Sequence, residues 1–517
     1  MRNKRIARRR ARLAVLAALP ILLPDAASAQ TVADDRQSSP HWSRARATLA
    51  LNEAKRPING PAKNVILFVG DGMGPTTVTA ARIHEGQRDG DRRPGVENVL
   101  GFETLPHLAM SKTYTTDAQI PDSAGTMTAM VTGVKTKAGL INYLPAARRG
   151  DCGTSADHRI VPLFGLAERA GLSTGVISTA RLTHATPAAT YAQSVDRDFE
   201  DDADLRGVPG ASACKDIAAQ LVDFPYGDGI DLAMGGGRRS FMHQSQVDPE
   251  DGGRMRGNRA DRDLTAAWRA KSARHKVVHD LAGFRALRAD DTVLGLFDRS
   301  HMAYDVDRRA DRKGEPTLAE MTRFAIDRLS RDEDGYVLVI EAGRIDHGHH
   351  QNNAARALSE AVALDAAVEA ALSKVDLSET LVIVTADHGH TLSMGGFATV
   401  DNDVLGLADH RDEGPGVRAE ASDGKAYTTL GYQNGASSPF AQGVAAWRFD
   451  PALRNTKAKD YKQDAMVPLR KESHGGQDVT IYAGGPKAYL FDGTVEQNYV
   501  YHVVDAALDL ERRAGRR

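Results

Sequence analysis

The sequence predicts a three-layer α/β/α sandwich, in which helices cover both faces of a mostly parallel central sheet. Two observations lead to this fold class. Short, nearly continuous apolar runs recur along the chain, as is typical of strands that are buried on both faces. Amphipathic helical stretches separate several of these runs, and this alternation is typical of parallel sheets. The 517 residues are enough for a large core of this kind.

The individual elements follow from the same patterns. The apolar runs predict strands at residues 64–70, 174–180, 230–236, 292–297, 336–342, 380–386 and 479–484. The clearest helix is predicted over 353–375, where apolar residues recur every three or four positions with little Gly or Pro.

Three regions depart from this alternation. Residues 245–275 are highly charged and are predicted to be an excursion over the surface. Residues 395–473 lack strong periodicity and are predicted to form a small subdomain inserted on the main sheet. The Ala/Arg-rich tail, residues 511–517, is predicted to be disordered.

The N-terminus resembles a signal peptide. A basic stretch, "MRNKRIARRRAR", precedes the apolar run "LAVLAALPILL", and "ASA" before Gln30 is typical of a cleavage site. The apolar run is too short for a membrane anchor. We therefore expect residues 1–29 to be removed on export, which leaves 30–59 as an N-terminal segment. Three consecutive arginines, 8–10, leave twin-arginine export open beside Sec export.

Charge and cysteine content narrow the class of protein. Cleavage removes seven Lys/Arg and one Asp from 66 basic and 68 acidic residues, which leaves a net charge of −8. This balance argues against a nucleic-acid-binding surface, which needs a basic excess. The cysteines are Cys152 and Cys214. An exported pair is most simply a disulfide, although two free thiols are the alternative.

Metal-ligating side chains follow the predicted strand at 336–342. Within ten residues come Glu341, Asp346, His347, His349 and His350. A loop at the carboxyl end of a strand is where open α/β sheets place their binding sites. A polar loop that happens to be rich in histidine would explain this stretch equally well by itself.

Three other stretches repeat this feature. Asp71 lies in a Gly-rich turn after the first strand, Asp387 and His388 follow the sixth, and His474 precedes the last. Asp71 alone could also be a turn aspartate or a helix N-cap. Carboxylates and imidazoles at four strand ends together predict a metal cluster, because zinc binds both groups and magnesium prefers oxygen ligands.

The cluster divides into three sites. The grouping places one zinc at Asp346, His350 and His474, a second at Asp71, Asp387 and His388, and magnesium at Glu341 with a neighbouring oxygen. A close pair of metal ions suits in-line displacement at phosphorus, because each ion can hold one apical oxygen.

Ser123 is the candidate nucleophile of such a reaction. It follows Asp122 and precedes a stretch that is predicted to be helical through Met130. The N-terminus of a helix offers free N–H groups and the positive end of the dipole, which suit a phosphate group. The alternative is that Asp122 or Ser123 is only the N-cap. The chain contains no G-x-S-x-G motif, so a serine-hydrolase triad is poorly supported.

Six motifs in order resemble those of the alkaline phosphatase family. They are "VGDGMG", "PDSAGTMTAMVTGVKTKAGLI", "STARLTHATPAATYA", "IEAGRIDHGHH", "VTADHGH" and "ESHGGQDV". They extend over a catalytic domain at residues 60–510. The resemblance implies a sandwich fold, usually in a homodimer, that hydrolyses many phosphate monoesters to alcohol and phosphate through a phosphoserine on Ser123. It also implies two Zn²⁺ ions and one Mg²⁺ ion. The predicted leader adds that the enzyme is periplasmic or secreted.

The resemblance implies a role for each site residue. It assigns one zinc to Asp71, Asp387 and His388, the other zinc to Asp346, His350 and His474, and magnesium to Asp71, Thr186 and Glu341. Arg197 is expected to bind the phosphoryl oxygens, since its planar fork suits bidentate contacts. Asp122 is expected to support these groups. The family's cysteine pattern pairs Cys152 with Cys214.

Two histidines make this site resemble that of the animal members. The enterobacterial enzymes have Asp and Lys near the magnesium, where this chain has His184 and His347. The resemblance therefore implies a looser magnesium site, with these two histidines beside the ligands and not among them. His349 is likewise not expected to be a ligand.

Animal members also hold calcium in a peripheral region. The resemblance suggests that the side chains of Glu250, Asp298 and Glu315 and the carbonyl of Phe297 are its ligands. Asp298 is shorter than the Glu that the family has at this position, and the intervening loops differ.

Three rival functions fit the sequence less well. A sulfatase needs a C/S-x-P-x-R motif, which "PDSAG" does not supply. A phosphodiesterase of the same superfamily typically has a Thr nucleophile and lacks the third metal and the arginine. A periplasmic protein that only binds metal or phosphate would not need Ser123 or Arg197.

Overall fold

A ten-stranded mixed sheet forms the centre of the protein. The computed structural model describes residues 35–88, 95–153, 156–250, 253–440 and 448–515. The strands are β1 (Asn64–Gly70), β2 (His107–Lys112), β3 (Ser173–Arg181), β4 (Leu232–Gly236), β5 (His275–Val278), β6 (Thr292–Leu296), β7 (Tyr336–Ala342), β8 (Thr380–Ala386), β9 (Gly389–His390), β10 (Leu392–Met394), β11 (Asp409–His410), β12 (Gly414–Arg418), β13 (Leu430–Gly435), β14 (Ala465–Pro468), β15 (His474–Gly475), β16 (Val479–Gly484) and β17 (Thr494–Glu496).

The helices lie between and beyond these strands. The α-helices are α1 (Pro40–Ala54), α2 (Pro75–Arg88), α3 (Ser123–Thr132), α4 (Leu163–Arg169), α5 (Ala185–Ala188), α6 (Ile217–Val222), α7 (Leu264–Ala270), α8 (Leu281–Arg285), α9 (Leu318–Leu329), α10 (Arg344–His350), α11 (Ala354–Leu372), α12 (Tyr499–Leu508) and α13 (Leu510–Ala514). Short 3₁₀ helices lie at Asp35–Ser38, Gly95–Glu97, Gly101–Thr104, Ala156–His158, Ala211–Ala213, Arg238–Ser240, Arg308–Ala310, Pro451–Leu453 and Ala488–Leu490. No helix of the described residues is long and apolar enough to cross a membrane.

The main sheet has the strand order β17-β2-β16-β8-β1-β7-β3-β4-β6-β5. Only β16 of these strands runs antiparallel to its neighbours, β8 and β2. The remaining neighbours pair in parallel, which places β8, β1 and β7 side by side with their carboxyl ends together. Asp71, Asp387 and the residues after β7 therefore leave the sheet at the same edge.

Helices cover both faces of this sheet, as the alternation along β1 demonstrates. Val65, Leu67 and Val69 contribute to one core with α3, α4 and α12. Ile66 and Phe68 point to the opposite face and contribute to a second core with α2, α9 and α11. Successive side chains of a strand point to opposite faces, so both faces of β1 are buried. The predicted sandwich fold is confirmed.

All seven predicted strands are present in the main sheet, and its other three strands, β2, β5 and β17, were not predicted. These three strands lie at or next to the two sheet edges, and most of their residues are only half-buried or exposed. They lack a continuous apolar run because one or both of their faces reach solvent. The predicted helix corresponds to α11, whose N-cap Asn353 accepts a hydrogen bond from the backbone N–H of Arg356 at 3.0 Å.

The inserted region, 395–473, contributes no described strand to the main sheet. With β10 it forms a three-stranded sheet in the order β10-β13-β14, together with the pair β11-β12. It belongs to the same compact unit as the main sheet, residues Pro57–Arg517. The preceding unit, up to Arg56, contains α1, which has no buried residue. The predicted signal peptide lies outside the described residues.

Two expectations about surface regions are wrong. Residues 245–275 are not only a surface excursion, since Trp268 and Arg259 are fully buried. Arg259 forms ion pairs with Asp216 at 2.8 Å and Asp261 at 2.9 Å, and such pairing lets a charged side chain lie inside a protein. The tail is also ordered through Gly515, because α13 buries Leu510 against the core.

The disulfide between Cys152 and Cys214 is present. Cys152 belongs to a small apolar cluster with Tyr143, Val195 and Phe199, separate from the two main cores. The disulfide therefore joins two loop regions outside the main sheet. The apolar core of these regions is small. The alternative of two free thiols is excluded.

Candidate active site

The carboxyl ends of β1, β7 and β8 bring the predicted ligands together. Gly70, the last residue of β1, pairs with Ala342 of β7 and with Ala386 of β8. Asp71 and Asp387 come directly after these paired residues, so both lie at the carboxyl edge of the sheet, next to each other. The backbone N–H of Gly72 donates to Asp387 Oδ1 at 2.9 Å, which joins the two turns.

The first group contains Asp71, Asp387 and His388, which are all fully buried. His388 Nε2 lies 3.5 Å from Asp71 Oδ1 and 3.3 Å from Asp387 Oδ2. One ligand atom from each of the three residues can thus surround a single ion. Two carboxylate oxygens and one imidazole nitrogen form a donor set that suits zinc.

Ser123 lies directly beside this group. It is the first residue of α3, and its Oγ is 3.2 Å from His388 Nε2. Asp122 is the N-cap, and its Oδ1 accepts from the backbone N–H of Gly125 at 3.1 Å. The N-cap interpretation thus holds for Asp122, while the Ser123 hydroxyl faces the cluster.

Arg197 reaches the same place from a distant loop. Its Nη1 donates to Asp122 Oδ2 at 3.1 Å, and its Nη2 lies 3.2 Å from His184 Nε2. Asp122 also accepts from the backbone N–H of Gly139 at 3.0 Å. The carboxylate of the N-cap residue Asp122 therefore holds the guanidinium of Arg197 next to the start of α3.

The second group contains Asp346, His350 and His474. His350 Nε2 lies 3.2 Å from Asp346 Oδ1, and His474 Nε2 lies 3.4 Å from the same oxygen. The two imidazole Nε2 atoms are 3.3 Å apart. The stretch after β7 is the short helix α10 and not the expected loop, so Asp346 and His350 lie one turn apart on the same side.

Hydrogen bonds orient both histidines of the second group. His350 Nδ1 donates to the carbonyl oxygen of Glu472 at 2.6 Å, and His474 Nδ1 donates to that of Pro121 at 2.7 Å. A proton on Nδ1 leaves Nε2 with a lone pair, which is the form that binds a metal ion. Both Nε2 atoms point at Asp346.

His390 is a site residue that the sequence reasoning missed. Its Nε2 lies 2.8 Å from Asp346 Oδ1, and its Nδ1 lies 2.7 Å from Glu472 Oε2. Asp346, His388, His390 and His474 form a further group that could hold an ion. The motif "TADHGH" could have indicated this residue, because His390 follows the predicted ligand His388 by two positions. Side chains two residues apart in an extended segment lie on the same side.

The third group lies on the other side of Asp71. It contains Asp71, His184 and Glu341, and each of them offers one ligand atom. These three atoms lie within 4.8 Å of one another. Glu341 Oε2 accepts from the hydroxyl of Ser178. His347 is close to the second group, with its Nε2 4.0 Å from Asp346 Oδ2, and its ring lies 5.7 Å from that of His184. His349 is bonded elsewhere, to Thr77 and Tyr432.

Several ligand atoms at this site have no hydrogen-bond partner within the described residues. They are both carboxylate oxygens of Asp71, Asp387 Oδ2, Glu341 Oε1 and Thr186 Oγ1. A buried polar oxygen without a partner destabilises the folded protein by about 1–3 kcal/mol, and more if it is charged. Metal ions would satisfy these oxygens, so the residues present fit the implied ions.

The pKa values of these side chains also indicate that the site fits metal ions. Burial, followed by the charges of Asp387, Asp346 and Glu341, raises the pKa of Asp71 well above its ordinary value. Burial likewise raises the pKa of Glu341 to about 8. Burial lowers the pKa of His388 well below its usual range, which keeps this imidazole neutral and able to bind a metal. Cations among these carboxylates would offset their mutual repulsion.

The residues suggested for calcium lie in a separate region. Glu250 forms an ion pair with the buried Arg238, and Glu315 Oε2 accepts from the backbone N–H of Ala303 at 2.9 Å. Burial and the charge of Asp298 raise the pKa of Glu315 to about 8. Burial also raises the pKa of Glu250 to about 7, and Asp298 again contributes. The charges of these carboxylates thus influence one another, but among the described residues they do not form a group whose ligand atoms all lie within 4.8 Å of one another.

The fold and the cluster together define a class of protein, the α/β enzymes that use metal ions at the carboxyl ends of parallel strands. The family model for alkaline phosphatase matches residues 62–510. The chain belongs to the alkaline phosphatase family and is a phosphomonoester hydrolase. The predicted family agrees with this match.

Known relatives cover nearly the whole chain. It is 39% identical over 495 residues to the tissue-nonspecific alkaline phosphatase of Gallus gallus, covering 93% of this chain and 92% of that one. It is 38% identical over 481 residues to the human tissue-nonspecific isozyme, covering 91% and 88%. Alkaline phosphatase from Thermus thermophilus has a similar structure, with a TM-score of 0.62, 26% identity and coverage of 90% and 96%.

Replacing Glu341 with Gln tests the repulsion among these carboxylates. The folded metal-free protein holds a proton on Glu341 up to about pH 8, whereas the unfolded chain releases it near pH 4.3. Wild-type stability therefore falls as pH rises through this window, by up to about 1.4 kcal/mol per pH unit. Glu341→Gln lacks this loss, so its stability relative to wild type should increase between pH 5 and 8.

Urea unfolding of both metal-free proteins at several pH values measures this difference. Groups that do not interact with Glu341 cancel in the comparison. Asp71 does interact with it, and its pKa should be lower in the variant, which changes the difference in the same direction. A difference in unfolding free energy that stays constant from pH 5 to 8 would contradict the raised pKa of Glu341.

Proposed function

We propose that this protein hydrolyses a broad range of phosphate monoesters to alcohol and inorganic phosphate through a phosphoserine on Ser123. The observation that carries the proposal is the set of buried ligand oxygens without hydrogen-bond partners around this serine. In this reaction little of the leaving alcohol would need to be recognised, so broad specificity is expected.

Three metal ions would complete the site. Asp71, Asp387 and His388 would hold one Zn²⁺, and Asp346, His350 and His474 would hold the other. Asp71, Thr186 and Glu341 would hold one Mg²⁺. When bound, such ions lower the pKa of a hydroxyl group or water and offset negative charge on phosphoryl oxygens.

The residues of the chain then act in two in-line steps. In the first, Ser123 Oγ bonds to phosphorus, the bond to the ester oxygen breaks, and the alcohol leaves with a proton. In the second, a water oxygen bonds to phosphorus, the bond to Ser123 breaks, and the serine recovers its proton. Arg197 would bind two equatorial oxygens throughout, and its contact with Asp122 orients it for this role.

Three further properties rest on weaker support. The first is export by a signal peptide at residues 1–29 to the periplasm or the exterior, which the disulfide fits because such bonds persist in oxidising compartments. N-terminal sequencing of the mature protein would identify Gln30 as its first residue; retention of the leader in exported protein would contradict it.

The second property is a homodimer. Several large apolar side chains of the inserted region are exposed, among them Phe397 at 76%, Phe449 at 70% and Met466 at 71%. A contiguous exposed apolar patch marks a protein interface, and we propose that these side chains contribute to such a patch between two subunits. Light scattering at micromolar concentration should give twice the mass of the mature chain, and a monomer mass would disprove the dimer.

The third property is a calcium ion at Glu250, Asp298, Glu315 and the carbonyl of Phe297. Its support is the raised pKa of the two glutamates, which a cation would reverse. Calcium should raise the melting temperature of the wild type but not of Glu315→Gln. Equal responses of the two proteins would exclude this site.

Chelation tests the proposed function as a whole. Hydrolysis of p-nitrophenyl phosphate between pH 7 and 11 should increase into the alkaline range. It should vanish with EDTA and return only when zinc and magnesium are both restored, because the buried carboxylates need the cations. No turnover by folded, metal-loaded protein would contradict the proposal, and activity confined to the bis-p-nitrophenyl ester would indicate a diesterase.

Replacing Ser123 with Ala tests the nucleophile. The variant should form no phosphoenzyme and should lose activity at least on the order of 10³-fold, since losses of nucleophiles in hydrolases reach about 10⁶-fold. Acid quenching after mixing with ³²P-labelled substrate detects the intermediate. The zinc content should stay at the wild-type value, and labelled protein in the variant would disprove the assignment.

A further inference from the structure

Glu472 is a fully buried carboxylate, two residues before His474, with partners on both oxygens. Its Oε2 lies 2.7 Å from His390 Nδ1. Its Oε1 accepts from the backbone N–H of Thr391 at 2.7 Å and from the Thr391 hydroxyl at 2.6 Å. The carboxylate therefore joins the segment that carries His474 to the segment that follows β8.

This residue reaches each member of the second metal group. His390 connects its carboxylate to Asp346 Oδ1, at 2.8 Å. Its backbone carbonyl accepts from His350 Nδ1 at 2.6 Å. His474 lies two residues further along the chain, and the short pair β15-β9 sets it opposite His390.

His390 has little freedom to move within this arrangement. Gly72 has a φ of +72°, and a Cβ at that position would overlap the His390 ring. On another side the ring of His349 stacks on that of His390, with 4.8 Å between centroids. Because the His390 ring can hardly move, the position of the Glu472 carboxylate determines where this ring contacts Asp346.

We propose that Glu472 is a positioning residue for the zinc site at Asp346, His350 and His474. It does not contact the substrate, and it acts on one ligand through His390 and on another through its own carbonyl oxygen. Carboxylates that bond to groups around a metal ligand orient that ligand and raise metal affinity. The inference rests on the proposed function, because that function assigns zinc to these three residues.

Glu472→Gln is the direct test, made in the full mature chain. The amide has the same size but only one acceptor oxygen, so it cannot accept from both His390 and Thr391. We expect one of the two bound zinc ions to be held about 10–100-fold more weakly, while the other keeps its affinity. Competition with a chelator, followed by metal analysis of the protein, measures both affinities.

His390→Asn is a second variant that removes the other partner of the same contact. It should weaken the same zinc ion, and the double variant should weaken it no more than the stronger single change. Such non-additivity is expected when two residues act through one connection. This variant also tests the inference if Glu472→Gln does not fold.

Glu168→Gln is the matched control. Glu168 is also buried, and its Oε1 accepts from the hydroxyl of Thr174 at 2.7 Å near the start of β3. That end of the strand is opposite the carboxyl ends where the metal groups lie. The control should keep both zinc affinities of the wild type.

Two further readouts separate positioning from general stability. The metal-free variant Glu472→Gln should melt a few degrees below the metal-free wild type, because one buried hydrogen-bond partner is lost. Zinc should in addition raise its melting temperature less than it raises that of the wild type. Its activity should recover at high zinc concentration, which Ser123→Ala cannot do.

Unchanged zinc affinities in Glu472→Gln and His390→Asn would overturn the inference. So would equal weakening of both zinc ions accompanied by a large fall in the melting temperature of the metal-free variant, because that result indicates only a structural role. A wild-type protein that binds no zinc would instead refute the proposed function, and the inference with it. The two failures are thus distinguishable.

Discussion

Repulsion among buried carboxylates is the constraint on which the rest of this site depends. Asp71, Glu341, Asp346 and Asp387 lie at one edge of the sheet, with little or no exposure to water. Asp346 has imidazoles around it, whereas Asp71 has no hydrogen-bond partner among the described residues. Such a group of charges is tolerated only if the carboxylates take up protons or bind cations. The neutral imidazoles and the serine nearby are arranged around that requirement.

The parallel sheet is what makes this concentration of charge achievable. Neighbouring parallel strands end at one edge, so residues far apart in sequence arrive at the same point. The hydrogen bond between Gly72 and Asp387 joins residues 315 positions apart. Helix α3 adds its N-terminus at this edge, which favours a negatively charged phosphoryl group there. The fold therefore supplies both the ligands of the cations and the site for the anion.

The predictions succeeded where a local pattern carried the information. β1, β7 and β8 were predicted within a residue of their bounds because both of their faces are buried and their apolar runs are continuous. Edge strands such as β5 lack that run and were missed. Arg259 was expected at the surface from its charge, but Asp216, 43 residues away, pairs with it inside the protein. His390 was overlooked because its partners, Asp346 and Glu472, are 44 and 82 residues away.

The sequence by itself determined the fold class, the family resemblance and the types of side chain available for chemistry. These depend on periodic burial and on short motifs, which act over neighbouring residues. Only the tertiary structure decided that Arg197 contacts Asp122 and that α10 sets Asp346 and His350 one turn apart. It also decided that Glu472 contacts His350 directly and reaches Asp346 through His390. Such distances depend on strand register and loop paths, because contacts between remote residues form only when the whole sheet has assembled.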